Sequence, residues 1–313
     1  MYMEFKQRGV SHGGIYPVFA EPVYMPIHPV LIKSILAKDF TYFNGRGFPY
    51  DAKKDPLSAH IFNLDGYSWR NTRVKLTPVF TSGKIRTMFN TVLDCGGPLT
   101  QHINLELKSE KSLNVHDILS LFTIDVIGSC VFGVDCNSFK DPDAEFKKFG
   151  NHVMKVSLRN KVYNFMKFVA PTFGKLIHVR RVSLDMENFV INMIQEVLNY
   201  RKLGKVVRND FIQLFMELDR KAKEKNEDSF TIQEIAAQAY IFFIGGFETA
   251  AITMTFLLHE LAYNEQIQEK LRNEIRDTLR SCSGSLTYDG MTNMKYMNQV
   301  VNETLRKYPP LPF

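Results

Sequence analysis

The segment Ile235–Leu258 constrains the fold of this chain most strongly. It is an apolar run of 24 residues whose single charged side chain is Glu248, and it is long enough to cross a bilayer as a helix. The central acid, Gln238 and three threonines are costly in lipid, and charge-rich amphipathic segments flank the run on both sides. We therefore predict a helix that is apolar all round because protein surrounds it, with a membrane-spanning helix as the alternative.

A glycine pair lies in the middle of this predicted helix. Gly245 and Gly246 weaken the helix, and such a pair allows a local kink or the close approach of a flat ligand. One helical face combines an aromatic ring, the glycine gap and two hydroxyl groups, from Phe242, Gly245, Gly246, Thr249 and Thr253. We interpret this face as one wall of a pocket.

The acid and the hydroxyl beside the glycine gap are candidates for proton transfer. A carboxylic acid next to a hydroxyl can hold water and pass protons inward, as Glu248 and Thr249 would do here. The alternative, which these two residues alone favour, is that the Thr249 hydroxyl binds the carbonyl four residues back while Glu248 pairs elsewhere.

The composition excludes several classes of protein. A hydrophobic content of 45% and a charged content of 23% indicate a globular chain rather than a disordered one. The 39 basic and 33 acidic residues give a net charge of +6 without a basic tract, so we expect no nucleic-acid partner. No C-x-x-C pair occurs, which predicts free thiols and no structural zinc site for the four cysteines, Cys95, Cys130, Cys136 and Cys282.

The rest of the chain is predicted to be mostly helical. Residues 14–27 read as two short extended runs, which predicts a hairpin. Apolar residues at three- and four-residue spacing predict helices over residues 28–40, 65–80, 84–93, 116–132, 183–202 and 211–225, with polar joints at 141–143, 203–209 and 221–228. The predicted fold class is α+β and mostly α, with a small β-rich N-terminal region over residues 1–45 and a helical body over residues 46–313.

Two further residue pairs carry weaker signals. Trp69 and Arg73 lie four residues apart on a predicted helix, where they either bind a carboxylate jointly or stack as a cation–π pair. Glu303 and Arg306 lie three residues apart on a helix that Pro309 would end. They form either an exposed ion pair or, because apolar neighbours require the helix to pack inward, a half-buried one.

These patterns, taken in chain order, resemble the cytochrome P450 monooxygenases. The family pattern W-x-x-x-R matches Trp69 to Arg73, [AG]-G-x-[DE]-T matches Gly245 to Thr249, and E-x-x-R matches Glu303 to Arg306. Longer strings such as DILSLFTIDVIGSCVFGVDCNSF look like the insect microsomal, detoxification-type branch. The resemblance runs from about Gly14 to the last residue and implies part of a cytochrome P450 fold.

The resemblance also implies roles for the matching residues. Trp69 and Arg73 would bind a haem propionate, and Gly245 and Gly246 would line the distal face of the haem. Glu248 and Thr249 would deliver protons, and Glu303 and Arg306 would form a structural ion pair. The residues guessed to line the substrate pocket are Phe62, Phe242 and Thr253.

The sequence departs from the family pattern in three places. The family holds haem iron by a cysteine thiolate in an F-x-x-G-x-x-x-C loop, and none of the four cysteines has that context, so we expect no metal ligand within this chain. The family arginine that joins the E-x-x-R pair is not present. The N-terminal anchor helix is also missing, and the first residues resemble neither a signal peptide nor a membrane span. We interpret the chain as the middle of a longer protein.

The resemblance implies an oxidation reaction. The full-length relative would oxidise apolar small molecules, either xenobiotics or endogenous lipophiles, with O2 and haem. Electrons would come from NADPH through a flavoprotein, NADPH-cytochrome reductase, which carries FMN and FAD. The expected location is the cytosolic face of the endoplasmic reticulum membrane, and we expect this chain alone to be inactive. The competing hypotheses are a non-catalytic remnant of the fold that binds an apolar ligand and an unrelated helical membrane protein.

Overall fold

The computed structural model describes residues 2–16, 22–48, 50–109, 112–141, 144–154, 180–204, 208–226 and 228–311. These residues form a mostly helical chain with one small antiparallel sheet, which confirms the predicted fold class. The strands are β1 (His12–Ile15) and β2 (Val23–Pro26). The helices are α1 (Tyr2–Gln7), α2 (Pro29–Lys33), α3 (Gly66–Leu76), α4 (Ser82–Lys108), α5 (Val115–Ile127), α6 (Glu145–Met154), α7 (Leu184–Lys202), α8 (Phe211–Glu224), α9 (Ile232–Tyr263), α10 (Glu265–Ser281), α11 (Tyr288–Thr292) and α12 (Lys295–Lys307).

The predicted hairpin is present near the N-terminus. Its two strands pair with Gly13 opposite Met25 and Ile15 opposite Val23. A methyl group on Gly13 would lie 2.5 Å from Cε2 of Phe5, so α1 packs over this position only because it is glycine. Residues 17–21, which fall inside the predicted hairpin, lie outside the described residues.

The chain divides into two compact units. The first contains residues 1–76, 153–191 and 232–238, and the second contains residues 77–152, 192–231 and 239–313. The predicted division after residue 45 stays a prediction.

Buried polar side chains connect separate stretches of the first unit. Oδ2 of Asp55 accepts hydrogen bonds from the backbone N–H groups of Arg181, at 2.7 Å, and Val182, at 3.4 Å. Oε1 of Gln238 accepts the backbone N–H of Ile61 at 2.9 Å. Because Asp55 and Gln238 are almost fully buried, these bonds satisfy groups that would otherwise be costly to remove from water.

Phenylalanine rings form the core of the second unit. The ring of Phe243 on α9 lies 4.3 Å from that of Phe149, 4.9 Å from that of Phe247 and 6.1 Å from that of Phe132. All four side chains are buried. Tilted and edge-on ring packing of this kind adds to the free energy gained by burying apolar area, and it holds the middle of α9 in the core.

A buried ion pair joins the end of α7 to the start of α8. Arg201 donates two hydrogen bonds to the carboxylate of Asp210, at 2.6 and 2.5 Å. Asp210 is also the N-cap of α8 and accepts the backbone N–H of Gln213 at 3.0 Å. Gly133, with a φ of 70°, lies against the pair, and any side chain there would overlap both partners. The turn at Gly133 therefore depends on glycine for its conformation and for space.

The predicted end of α4 is wrong by many residues. α4 continues through Pro98 to Lys108, although the predicted helix ended at residue 93. Proline removes one backbone donor, which a long helix packed against its neighbour can tolerate. α8 ends at Glu224, one residue before the predicted helix end at residue 225, so the polar joint predicted over residues 221–228 begins after Glu224.

Candidate functional site on helix α9

The long helix α9 carries most of the predicted site residues. It runs from Ile232 to Tyr263 and is continuous through the glycine pair, so it extends beyond both predicted ends. Phe243 and Phe247 point into the core, whereas Gly245 is exposed and Thr249 is half-buried. The helix therefore presents a face that the described residues leave partly open beside the glycine pair.

The two glycines face different surroundings. A methyl group on Gly245 would meet no atom within 4 Å. A methyl group on Gly246 would overlap Cδ1 of Ile127 and lie 2.9 Å from its Cγ1. Gly246 therefore allows α9 to approach α5 closely, and only Gly245 opens onto free space. This packing role of Gly246 was not evident in the sequence.

The hydroxyl of Thr249 is bound within its own helix. Its Oγ1 donates to the carbonyl oxygen of Gly245 at 2.5 Å, and Oγ1 of Thr253 donates to the carbonyl oxygen of Thr249 at 2.8 Å. This is the intrahelical contact considered as the alternative for Thr249. A hydroxyl that donates one bond still has acceptor lone pairs, so Thr249 can also accept a hydrogen bond from water.

Glu248 faces the neighbouring helix α5. Its Oε1 lies 3.2 Å from Nε2 of His116, a residue in the first turn of α5. The Glu248 side chain is 19% exposed and that of His116 is 37% exposed. Nδ1 of His116 lies 3.6 Å from Oδ1 of Asp117. Nothing in the sequence pointed to His116, because it lies 132 residues from Glu248 and belongs to no motif.

The two aromatic residues guessed as pocket lining have ring partners. The ring of Phe242 lies 4.6 Å from Phe211 and 5.1 Å from Phe80, both nearly edge-on. In the first unit, Phe62 stacks on Phe48 at 5.4 Å, and the guanidinium of Arg46 lies 4.9 Å from its ring centre. These contacts give both rings a packing role, and their role in a substrate pocket stays a prediction.

The pair Trp69 and Arg73 lies on α3 in the first unit. The two residues are one turn apart on the same helical face, as the sequence predicted. Trp69 is half-buried and packs against Phe40 with ring centres 5.3 Å apart, whereas Arg73 is exposed. The α3 geometry suits a joint contact with one carboxylate, and binding of a haem propionate stays a prediction.

The pair Glu303 and Arg306 lies on α12 and forms two hydrogen bonds of 2.7 Å. The Glu303 side chain is 60% exposed and that of Arg306 is 71% exposed, so the half-buried pair that the apolar neighbours suggested is not observed. Hydrogen bonding from Arg306 lowers the pKa of Glu303 below its usual value. An ion pair this exposed contributes little to the stability of the described structure.

The four cysteines are free thiols. Burial raises the pKa of Cys95 to about 11 and that of Cys130 to about 12, and burial also raises the pKa of Cys136. Cys282 has a lowered pKa because Thr287 hydrogen-bonds to its sulfur, and it lies between α10 and α11. The part of the chain described by the structure contains no cluster of three His, Cys, Asp or Glu residues suited to a metal ion.

Among the described residues, two helical stretches are long and apolar enough to cross a membrane, Val115–Phe132 and Ile232–Tyr263. The criterion uses length and composition alone, and the core helix of a soluble protein also meets it. These stretches are therefore weak evidence for membrane insertion.

Comparison with known proteins identifies a family match. The cytochrome P450 family model matches residues 2–313. "Probable cytochrome P450 6a13" of Drosophila melanogaster is 38% identical over 307 residues, which are 98% of this chain and 61% of the relative. "Cytochrome P450 6a2" of the same organism is 34% identical and covers 99% of this chain and 63% of the relative. "Cytochrome P450 6A1" of Musca domestica is 38% identical and covers 92% and 57% respectively. The chain therefore spans less than two thirds of the length of these relatives.

Proposed function

Because this chain belongs to the cytochrome P450 family, we propose that it forms part of a haem-dependent monooxygenase that oxidises lipophilic small molecules, either xenobiotics or endogenous lipophiles. The observation that carries the proposal is the open space over Gly245, one helical turn from the Thr249 hydroxyl, in the middle of a long helix anchored in an aromatic core. When bound, haem supplies the activation of molecular oxygen with electrons from a reductase.

Two sets of residues would hold the haem. Gly245 leaves room for a flat macrocycle against α9, whereas Gly246 keeps the same turn pressed onto α5. Trp69 and Arg73 match the family pattern for the propionate contact, in which indole N–H and guanidinium donors bind a carboxylate. The space at Gly245 fits the cofactor, whereas none of the four cysteines lies in the F-x-x-G-x-x-x-C context of the family's iron ligand.

The residues beside the gap would manage protons. The Thr249 hydroxyl would continue to donate to the Gly245 carbonyl, which leaves Oγ1 able to accept a hydrogen bond from a water molecule. Glu248, the preceding residue, would restore protons to this water.

The partners follow from the family and not from any contact in the described residues. We expect electron transfer from NADPH through a flavoprotein reductase that carries FMN and FAD, and a location on the cytosolic face of the endoplasmic reticulum membrane. Since none of the four cysteines suits the iron, we expect these 313 residues alone to be inactive. Family membership excludes the hypothesis of an unrelated helical membrane protein.

A chimera tests the proposed function. This chain would replace the matching residues of the Musca domestica relative, with which it shares 38% identity. The chimera would be loaded with haem and supplied with reductase, NADPH, 18O2 and a lipophilic aromatic hydrocarbon, which hydroxylation converts to an alcohol or a phenol. We expect one 18O atom in each oxidised product. A chimera that folds and binds haem but incorporates no 18O would contradict the proposal.

A further inference from the structure

Glu248 and Thr249 do not point the same way. Consecutive residues on an α-helix are rotated by about 100°, so the two side chains cannot share one face of α9. The Thr249 hydroxyl lies on the side of the Gly245 carbonyl, whereas the Glu248 carboxylate lies against α5 and contacts His116. The position of the acid is therefore set by α5 as well as by the backbone of α9.

His116 connects this carboxylate to the surface. Its Nε2 faces Glu248 at 3.2 Å, and its Nδ1 faces Asp117 at 3.6 Å. The Asp117 side chain is 71% exposed, whereas that of Glu248 is only 19% exposed. Nδ1 of the imidazole ring thus faces the exposed Asp117, and Nε2 faces the carboxylate of Glu248. Asp117 and Glu248 are its ionic partners among the described residues.

The backbone at the start of α5 holds His116 in place. Asn114 is the N-cap of the helix, with its side-chain oxygen accepting the backbone N–H of Asp117 at 3.3 Å, and the helix begins at Val115. The N-cap fixes the backbone of the first turn, from which the His116 side chain extends. At the other end of α5, Ile127 packs against Gly246 of α9. The contact with Glu248 is therefore part of a fixed interface between two packed helices.

We propose that His116 is a positioning residue for Glu248, holding its carboxylate against α5, where it takes up the protons that Thr249 and its water pass inward. The inference rests on the proposed function, because it assigns Glu248 its part in proton delivery. His116 acts only through Glu248 and touches neither cofactor nor substrate.

The contact itself can be tested without haem. In the 313-residue chain, the equilibrium constant of unfolding would be measured for His116→Phe, Glu248→Gln and the double variant. We expect the two substitutions to be coupled by a factor of at least about three, as is usual for residues in direct contact. His259→Phe combined with Glu248→Gln is the matched control, since His259 lies on α9 and its ring packs on Tyr263, and here the effects should multiply independently. Coupling no larger than in this control would overturn the proposal.

The role in the reaction is tested in the haem-loaded chimera described above. We expect His116→Phe to lower kcat and the yield of product per NADPH by about tenfold with KM within about twofold, because loss of a proton route affects turnover rather than binding. His116→Gln, which keeps a side-chain N–H donor, should recover most of the yield. His116→Phe should cause no further loss in a Glu248→Gln background.

The outcomes separate the inference from the proposed function. If Thr249→Ala lowers the yield but His116→Phe matches the unmodified enzyme, the proposed function stands and the role of His116 is wrong. An equal loss in His116→Phe and His116→Gln would also overturn the role, because it would show that the hydrogen-bond donor is not what matters. If Thr249→Ala has no effect, the proton-delivery role of Thr249 fails, whereas the proposed function itself fails only if the unmodified chimera incorporates no 18O.

Discussion

Ile127 of α5 occupies the space that a side chain on Gly246 of α9 would need. A methyl group on Gly246 would overlap Cδ1 of Ile127 and lie 2.9 Å from Cγ1, whereas a methyl group on the adjacent Gly245 would meet nothing within 4 Å. The two neighbouring glycines thus differ in the space around them. One permits close helix packing, and the other leaves an open surface for a ligand.

Alanine substitutions should distinguish the two glycines. Gly246→Ala should lower the free energy of unfolding by about 1–3 kcal/mol, as overpacking does. Gly245→Ala should raise it by up to about 1 kcal/mol, because alanine favours a helix and space is available. Denaturant titration measures both, and Ile127→Ala should recover part of the loss in Gly246→Ala. Equal effects of the two alanines would contradict the packing described here.

The buried ion pair should be sensitive to the loss of one partner. Asp210→Ala would leave Arg201 charged and buried, and it would remove the N-cap of α8. We expect the free energy of unfolding to fall by about 3–5 kcal/mol. Asp219→Ala on the same helix is the control, since the pair of Asp219 with Lys223 is at the surface and should contribute about 0.5 kcal/mol or less. A similar small loss in both variants would show that the buried pair is not formed.

Buried His60 should make the stability depend on pH. Burial, with a smaller effect from the charge of Arg181, lowers the pKa of His60 to about 4 in the folded chain. In the unfolded chain the pKa is about 6.5, so between these values the unfolded state binds more protons. The stability is fully present above about pH 6.5 and falls as the pH drops towards 4, by a total of about 3 kcal/mol from this residue.

A variant without the imidazole isolates that contribution. The free energy of unfolding would be measured between pH 7 and pH 4 for the unmodified chain and for His60→Gln. We expect the difference between the two to shrink as the pH falls, because only the histidine is penalised by protonation. His259→Gln, at an exposed position, should follow the unmodified chain. Parallel pH profiles for His60→Gln and the unmodified chain would exclude a buried neutral His60.

The hydroxyl of Thr249 should determine how much product is formed per NADPH consumed. In the haem-loaded chimera, Thr249→Ala removes the hydroxyl that would accept a hydrogen bond from water beside the Gly245 carbonyl. We expect NADPH to be consumed at a similar rate while product per NADPH falls several-fold and peroxide is released, with Thr249→Ser close to the unmodified enzyme. Product and peroxide would be measured against NADPH consumption. Unchanged coupling in Thr249→Ala would remove the proposed role in proton delivery.

Local patterns predicted the elements but not their partners. The position of α9 followed from its hydropathy, and α3 followed from its periodicity around Trp69. The length of α4 was missed because the Gly-Gly-Pro run before Leu99 opposes a helix locally, while packing against α5 supports one. Tertiary contacts set the length of α4, and such contacts cannot be recognised from the local sequence.

In the candidate site too, the sequence predicted the local motif but not the contacts with other helices. The motif around Gly245 and Thr249 was evident from the sequence, but the different surroundings of Gly245 and Gly246 depend on where Ile127 lies. His116 was missed because a contact across 132 residues has no periodicity to detect. The sequence left open whether Glu303 is exposed or half-buried, since apolar neighbours show that a helix packs but not which side chains it covers.

The most direct test of the account is the absorbance spectrum of the reduced, carbon monoxide-treated haem complex. It would be recorded for the 313-residue chain reconstituted with haem and for the chimera with the Musca domestica relative. A thiolate ligand gives a strongly red-shifted Soret band. We predict this band in the chimera and not in the chain alone, because none of Cys95, Cys130, Cys136 and Cys282 lies in the family's F-x-x-G-x-x-x-C context. The band in the chain alone would show that one of these cysteines is the ligand, and its absence from a haem-loaded chimera would contradict the assignment of this chain to a haem-thiolate site.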